Sequence, residues 1–110
     1  MTAPRFDWLG TYIAGVKHHV GVNTLLMLRH GLVLSLHPEA NEYDPFAVRI
    51  DGNPNVAATH CKFGYIPMSQ SAMVRSLIEH GYDLGCVVDY VDPAKFEVCV
   101  SLTLPDYSDL

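Results

Sequence analysis

Hydrophobic residues along this chain mostly recur with the two-residue period of a β-strand and change once to a helical period. In 96–104, Phe96, Val98, Val100 and Leu102 alternate with Glu97, Cys99, Ser101 and Thr103, which predicts a strand with one buried face. Residues 83–91 form a second such run, and Asp92-Pro93-Ala94-Lys95 between the two reads as the turn of a hairpin. Two further runs, 32–36 and 46–50, predict another hairpin across a polar turn. Residues 8–16, rich in aromatic and β-branched types, predict a first strand in which Gly10 and Gly15 mark bends or close backbone approach. Residues 62–66 predict a short strand. After Pro67 the period lengthens, and 69–80 predicts a helix with Ala72, Met73, Leu77 and Ile78 on one side and Gly81 as its C-terminal cap. Residues 20–29 are ambiguous in period; Asn23 or Thr24 there can cap a single helical turn. Asp51-Gly52-Asn53-Pro54-Asn55 is loop chemistry, aperiodic through Thr59. Six short strands with one clear helix and a possible second imply a mainly β fold, a small six-stranded barrel plus a helix.

Composition narrows this picture without changing it. A chain of 110 residues, 49% hydrophobic and 17% charged, suffices for one domain over 1–110 and one modest core. No apolar run is long enough to cross a bilayer, and Met1-Thr2-Ala3-Pro4-Arg5 lacks the apolar core of a signal peptide, so the expectation is a cytoplasmic protein with no membrane partner. Cys61, Cys86 and Cys99 are odd in number and widely spaced, which fits apolar thiols in a reducing compartment better than a disulfide framework. The net charge of −5 argues against a broad positive field for nucleic acid. Residues 1–70, however, hold five basic and five acidic residues, so the whole acidic excess falls in 71–110.

The most informative motif is the turn between the central runs, Asn41-Glu42-Tyr43-Asp44-Pro45-Phe46-Ala47-Val48. It sets a flat aromatic ring beside a hydrogen-bond acceptor on a loop, where binding chemistry tends to concentrate. With three other pieces in fixed order it resembles the signature of the HIRAN domain: Ile13-Ala14-Gly15-Val16-Lys17-His18-His19 is similar to the family's opening strand, Gly31-Leu32-Val33-Leu34-Ser35-Leu36-His37-Pro38-Glu39 to the strand entering the turn, and Phe63-Gly64-Tyr65-Ile66-Pro67 to the strand end before a helix. Each piece is weak alone, and the ordered set spans 8–103. The resemblance implies an OB-like barrel acting as a binding module for a single-stranded DNA end with a free 3′-hydroxyl, in DNA repair at replication forks.

Carried over by residue, the resemblance implies that Tyr43 stacks on the terminal base, that Asp44 accepts a hydrogen bond from the 3′-hydroxyl, and that Asn41 adds a polar contact. A carboxylate accepts from a hydroxyl and repels a phosphate, so it selects a strand end over continuous strand. Asn and Asp are also common turn formers that bond their own backbone, and that reading stays open for Asn41 and Asp44. Lys17 stands at a basic position and His18 at a stacking position of the family; His19 would follow on the other side of an extended chain. Tyr65 either lines the pocket or packs. Met68 departs from a basic residue and Phe46 from a polar one, so fewer phosphate contacts are expected.

Other chemistries find less support. His18, His19, His30, His37, His60, His80 and the cysteines lack CxxC, HxxxH or HExxH spacing, so no metal or other cofactor is expected. No phosphate-cradling glycine loop, nucleophile elbow or spaced carboxylate pair is present, and no enzyme activity is expected. The alternative to a DNA-end module is a protein-interaction domain whose acidic face docks a helicase or nuclease.

Overall fold

The computed structural model describes residues 4–53 and 61–106. The expected insertion continuing through Thr59 lies largely outside them. In chain order the elements are β1 (Arg5–Tyr12), a 3-10 turn (Val16–His18), α1 (Val22–Leu26), β2 (Val33–Pro38), β3 (Val48–Asp51), β4 (Lys62–Tyr65), α2 (Met68–Glu79), β5 (Gly85–Asp92), a second 3-10 turn (Pro93–Lys95) and β6 (Glu97–Pro105). The strands form one antiparallel sheet in the order β1-β6-β5-β2-β3-β4. Both expected hairpins are present: Leu36 faces Ile50 in β2–β3, and Val88 faces Val100 in β5–β6.

The sheet curls toward a barrel for two local reasons. Register shifts between Asp7 and Leu9 in β1 and between Val88 and Tyr90 in β5 insert an extra residue, which bends a strand and increases its twist. The curl brings the two edges of the sheet together without a continuous ladder. Among the described residues they meet at one bridge, where Ala14 N donates to Tyr65 O at 2.8 Å and Tyr65 N to Ala14 O at 3.0 Å. Gly64 permits this approach, because a Cβ there would sit 2.3 Å from Ala14 O.

Inside lie Val48, Ile50, Phe63, Val88, Val98, Val100 and Leu102, all fully buried; each such side chain contributes about 1.5–3 kcal/mol relative to exposure. The alternation read in β6 holds for its valines and Leu102, yet Ser101 and Thr103 on the other face are buried as well. β6 is paired on both edges, and its hydroxyls are satisfied: Thr103 Oγ1 accepts from Arg5 Nε at 2.9 Å and Ser101 Oγ donates to Asp89 Oδ2.

Two expectations need correction. The first strand ends at Tyr12 and does not run on through Val16. Gly15, at φ 80, takes the left-handed conformation open to glycine and starts the 3-10 turn that carries Lys17 and His18. His19 therefore does not follow on an extended chain. The inward face of α2 is also rotated: Ser71 and Val74 are buried with Ile78 half-buried, whereas Ala72 and Met73 are exposed. Ser71 tolerates burial because its Oγ donates to Met68 O at 3.0 Å, and its small side chain lets the helix sit close to the core. Gly81 caps α2 as expected, at φ 86 with its N–H donating to Ile78 O. The ambiguous stretch forms the short helix α1, with Leu25 buried.

Candidate nucleic-acid interface

The turn between β2 and β3 is a rigid platform built by its own polar side chains. Glu39 N donates to Ala47 O at 2.8 Å and closes its base. Asn41 Oδ1 accepts from the backbone N–H of both Tyr43 and Asp44, each at 2.9 Å. Asp44 is buried, and its Oδ1 accepts from Phe46 N at 2.9 Å. Both residues thus carry out the turn-forming role that their types allow. A carboxylate offers about four acceptor positions, so one bond to Phe46 leaves Asp44 capacity for a hydroxyl donor. Tyr43, fixed at its backbone by Asn41, is 78% exposed as a residue. An aromatic residue this exposed does little for the core and is open to a flat partner.

Lys17 and His18 lie on a different element, the 3-10 turn after β1. They line a groove of about 530 Å³ with Tyr12, Lys95, Phe96 and Glu97. Three groups able to carry positive charge face one carboxylate there, although the chain as a whole is acidic. Phe96, at φ 51, is the one non-glycine residue with positive φ among the described residues. A bulky side chain in that conformation costs about 1–3 kcal/mol and tends to occur where function requires a particular placement.

Tyr65 joins the two regions. Its backbone forms the bridge to Ala14, beside the groove, and its Oη donates to Glu39 Oε1 at the base of the turn at 2.9 Å. His19 meets the Tyr65 ring edge-on, with centroids 6.0 Å apart, and Lys62 Nζ stands 4.6 Å over its centroid. Partial burial, then the charges of Lys62 and His18, push the His19 imidazole below its ordinary pKa and favour its neutral form. The Tyr65 hydrogen bond, followed by Arg49 and Lys62, holds the Glu39 carboxyl below the usual carboxylate range in spite of partial burial. Tyr65 therefore packs between the turn and the groove, and it is not one of the residues that line the groove.

Sequence reading singled out the turn and the 3-10 residues but not Tyr12, Lys95 and Phe96, which line the groove with Lys17 and His18, nor Glu39, which accepts from Tyr65. Phe96 looked like one more member of an alternating strand; the signal available was its place directly after Asp92-Pro93-Ala94-Lys95, where a turn resets the chain direction. For metals, among the described residues no group of three His, Cys, Asp or Glu side chains is placed to hold an ion; His60 lies outside those residues. Burial, then Asp89, pushes the Cys86 thiol up to about 12, and burial likewise raises Cys61 and Cys99, so none is an activated nucleophile. Among the described residues no helix is long and apolar enough to cross a membrane.

Comparison with known proteins adds the context of the fold. No protein-family model matches the chain, and no curated protein matches it. Among solved structures, a protein from Lactobacillus plantarum is similar with a TM-score of 0.77 and 25% identity, over 92% of this chain and 95% of that one. The HIRAN domain of human HLTF is similar with a TM-score of 0.66 and 14% identity, over 96% of this chain and 82% of that one.

Proposed function

Because the chain has the fold of a HIRAN domain, we propose that it is a non-catalytic module that binds nucleic acid, specifically single-stranded DNA ending in a free 3′-hydroxyl. The observation that carries this reading is the exposed Tyr43 ring, held by the Asn41-organised turn beside the Asp44 carboxylate. The terminal base stacks on Tyr43, a contact worth about 1–3 kcal/mol that any base can make. Asp44 accepts from the 3′-hydroxyl, and a 3′-phosphate in its place meets a like charge. Lys17 and Lys95 bind phosphates of the strand as point charges, while the rings of His18 and Phe96 in the groove, and of Tyr65 beside it, are the faces on which the next base rests.

Fluorescence anisotropy with matched oligonucleotides ending in 3′-hydroxyl or 3′-phosphate tests the proposal. Preference for the hydroxyl end is expected, with a shallow salt slope of about −1.4 for two lysine–phosphate contacts on a single strand. Equal affinity for the two ends rejects the role of Asp44, and absence of binding rejects the reading altogether. A second reading, docking of a helicase or nuclease, is favoured by exposed Val22, Leu26 and Met27 on and beside α1, since clustered exposed apolar residues mark protein contacts. Co-purification with such an enzyme, without oligonucleotide binding, selects it.

A further inference from the structure

Beside the proposed DNA contact, three donors of different chemistry converge on one carboxylate of the chain itself. Tyr65 Oη donates to Glu39 Oε1 at 2.9 Å, Lys62 Nζ lies 3.9 Å from the same oxygen, and Arg49 Nη1 donates to Glu39 Oε2. A phenol, an ammonium and a guanidinium around one anion are the donors that a phosphate oxygen cluster attracts. We propose that Tyr65, Lys62 and Arg49 form an anion site that Glu39 occupies from within the chain, and that a backbone phosphate of bound single strand competes with Glu39 for it. This rests on the DNA-end reading above, which places a strand against Tyr65.

Two features make the occupancy displaceable. The Glu39 and Lys62 side chains are each about a third exposed, at 35% and 36%, so water and ligand reach both. Arg49 is held a second time by Asp51, with Nε at 2.9 Å from Oδ1 and 3.1 Å from Oδ2, and stays fixed when Glu39 moves. Lys62 is the second cation, 4.6 Å over the Tyr65 ring centroid and neutralised by Glu39 at 3.9 Å. Two cations and two carboxylates, Arg49 and Lys62 with Glu39 and Asp51, balance here. Removing the Glu39 charge leaves one cation beside the strand.

The test is Glu39→Gln, which keeps an oxygen for Tyr65 and Arg49 but not the charge, measured against wild type and against Glu39→Gln combined with Lys62→Ala. Anisotropy with 3′-hydroxyl and 3′-phosphate single strands is followed from 50 to 200 mM salt, and circular dichroism verifies the fold. Glu39→Gln should bind more tightly, with a slope steeper by about 0.7 for one added phosphate contact, so that its advantage is about 2.6-fold larger at 50 mM than at 200 mM. Adding Lys62→Ala should return the slope to the wild-type value. If wild type prefers the 3′-hydroxyl end but Glu39→Gln leaves affinity and slope unchanged, the anion site is rejected and the end-binding reading stands. If Glu39→Gln steepens the slope while neither end is preferred, the anion site stands and end recognition fails. Absence of binding by either protein overturns both.

Discussion

Replacing Tyr43 by alanine separates recognition from folding at a single position. The residue is 78% exposed, and the bonds that organise the turn are donated by the backbone N–H groups of Tyr43 and Asp44 to Asn41 Oδ1, which Tyr43→Ala keeps. Stability should therefore change by less than about 0.5 kcal/mol, as at other surface positions. Binding should lose the stacking contact, about 1–3 kcal/mol, or about five- to 140-fold in Kd at 1.4 kcal/mol per decade. Tyr43→Phe, which keeps the π face, should bind nearly as wild type. Asn41→Ala provides the contrast: it removes two hydrogen bonds at about 0.5–1.5 kcal/mol each, lowers the midpoint of thermal unfolding by about 4 °C or more, and weakens binding because the ring is no longer held. Anisotropy titration against a 3′-hydroxyl strand, paired with thermal melts, reads both effects. A Tyr43→Ala affinity within twofold of wild type refutes the stacking role. A Tyr43→Ala melt lowered as far as that of Asn41→Ala refutes the assignment of turn rigidity to Asn41.

Two further outcomes follow from the bridge and from the shifted ionisations. Gly64→Ala places a Cβ 2.3 Å from Ala14 O and 2.8 Å from Ile13 Cγ2; overpacking of about 1–3 kcal/mol and two weakened bridge bonds of about 1 kcal/mol each make it destabilising by about 3–5 kcal/mol in urea titration, whereas Gly10→Ala, which meets nothing within 4 Å, should cost little, and equal losses from the two refute the closing role of the bridge. Stability should also fall with acid in two stages. His19 and Glu39 have folded pKa values below their ordinary 6.5 and 4.5, so the unfolded chain takes up each proton first, and stability present above those values is lost as pH drops through the folded ones. Glu39→Gln should remove the lower stage in acid denaturation followed by tryptophan fluorescence; persistence of that stage assigns it to other carboxylates.

How much was legible varied with how local the cause was. Both hairpins, the cap at Gly81 and the loop at Asn41–Asp44 follow from short-range chemistry, in which strand periodicity, left-handed glycine and Asx bonding act over a few residues. The face of α2 was misread because its period admits two stripes, and the space beneath Ser71 decides between them. The continuation of β1 was misread because Gly15 serves a strand bend and a left-handed turn equally well until Ala14 is seen paired with Tyr65. The place of Phe96 and Lys95 in the groove stayed hidden because only sheet curvature brings the β5–β6 turn beside Lys17 and His18.

The amino-acid order alone determined the two hairpins, the end of α2 at Gly81, and that an aromatic ring and an acid stand side by side on a polar loop, since these depend on backbone preferences a few residues long. Tertiary structure decided that the two sheet edges meet at Ala14 and Tyr65, that Tyr65 ties the loop to the basic groove, and that Glu39 neutralises Lys62. Those are contacts between residues distant in the chain, and their geometry exists only once bulges have curled the sheet and burial of its valines has fixed the curl.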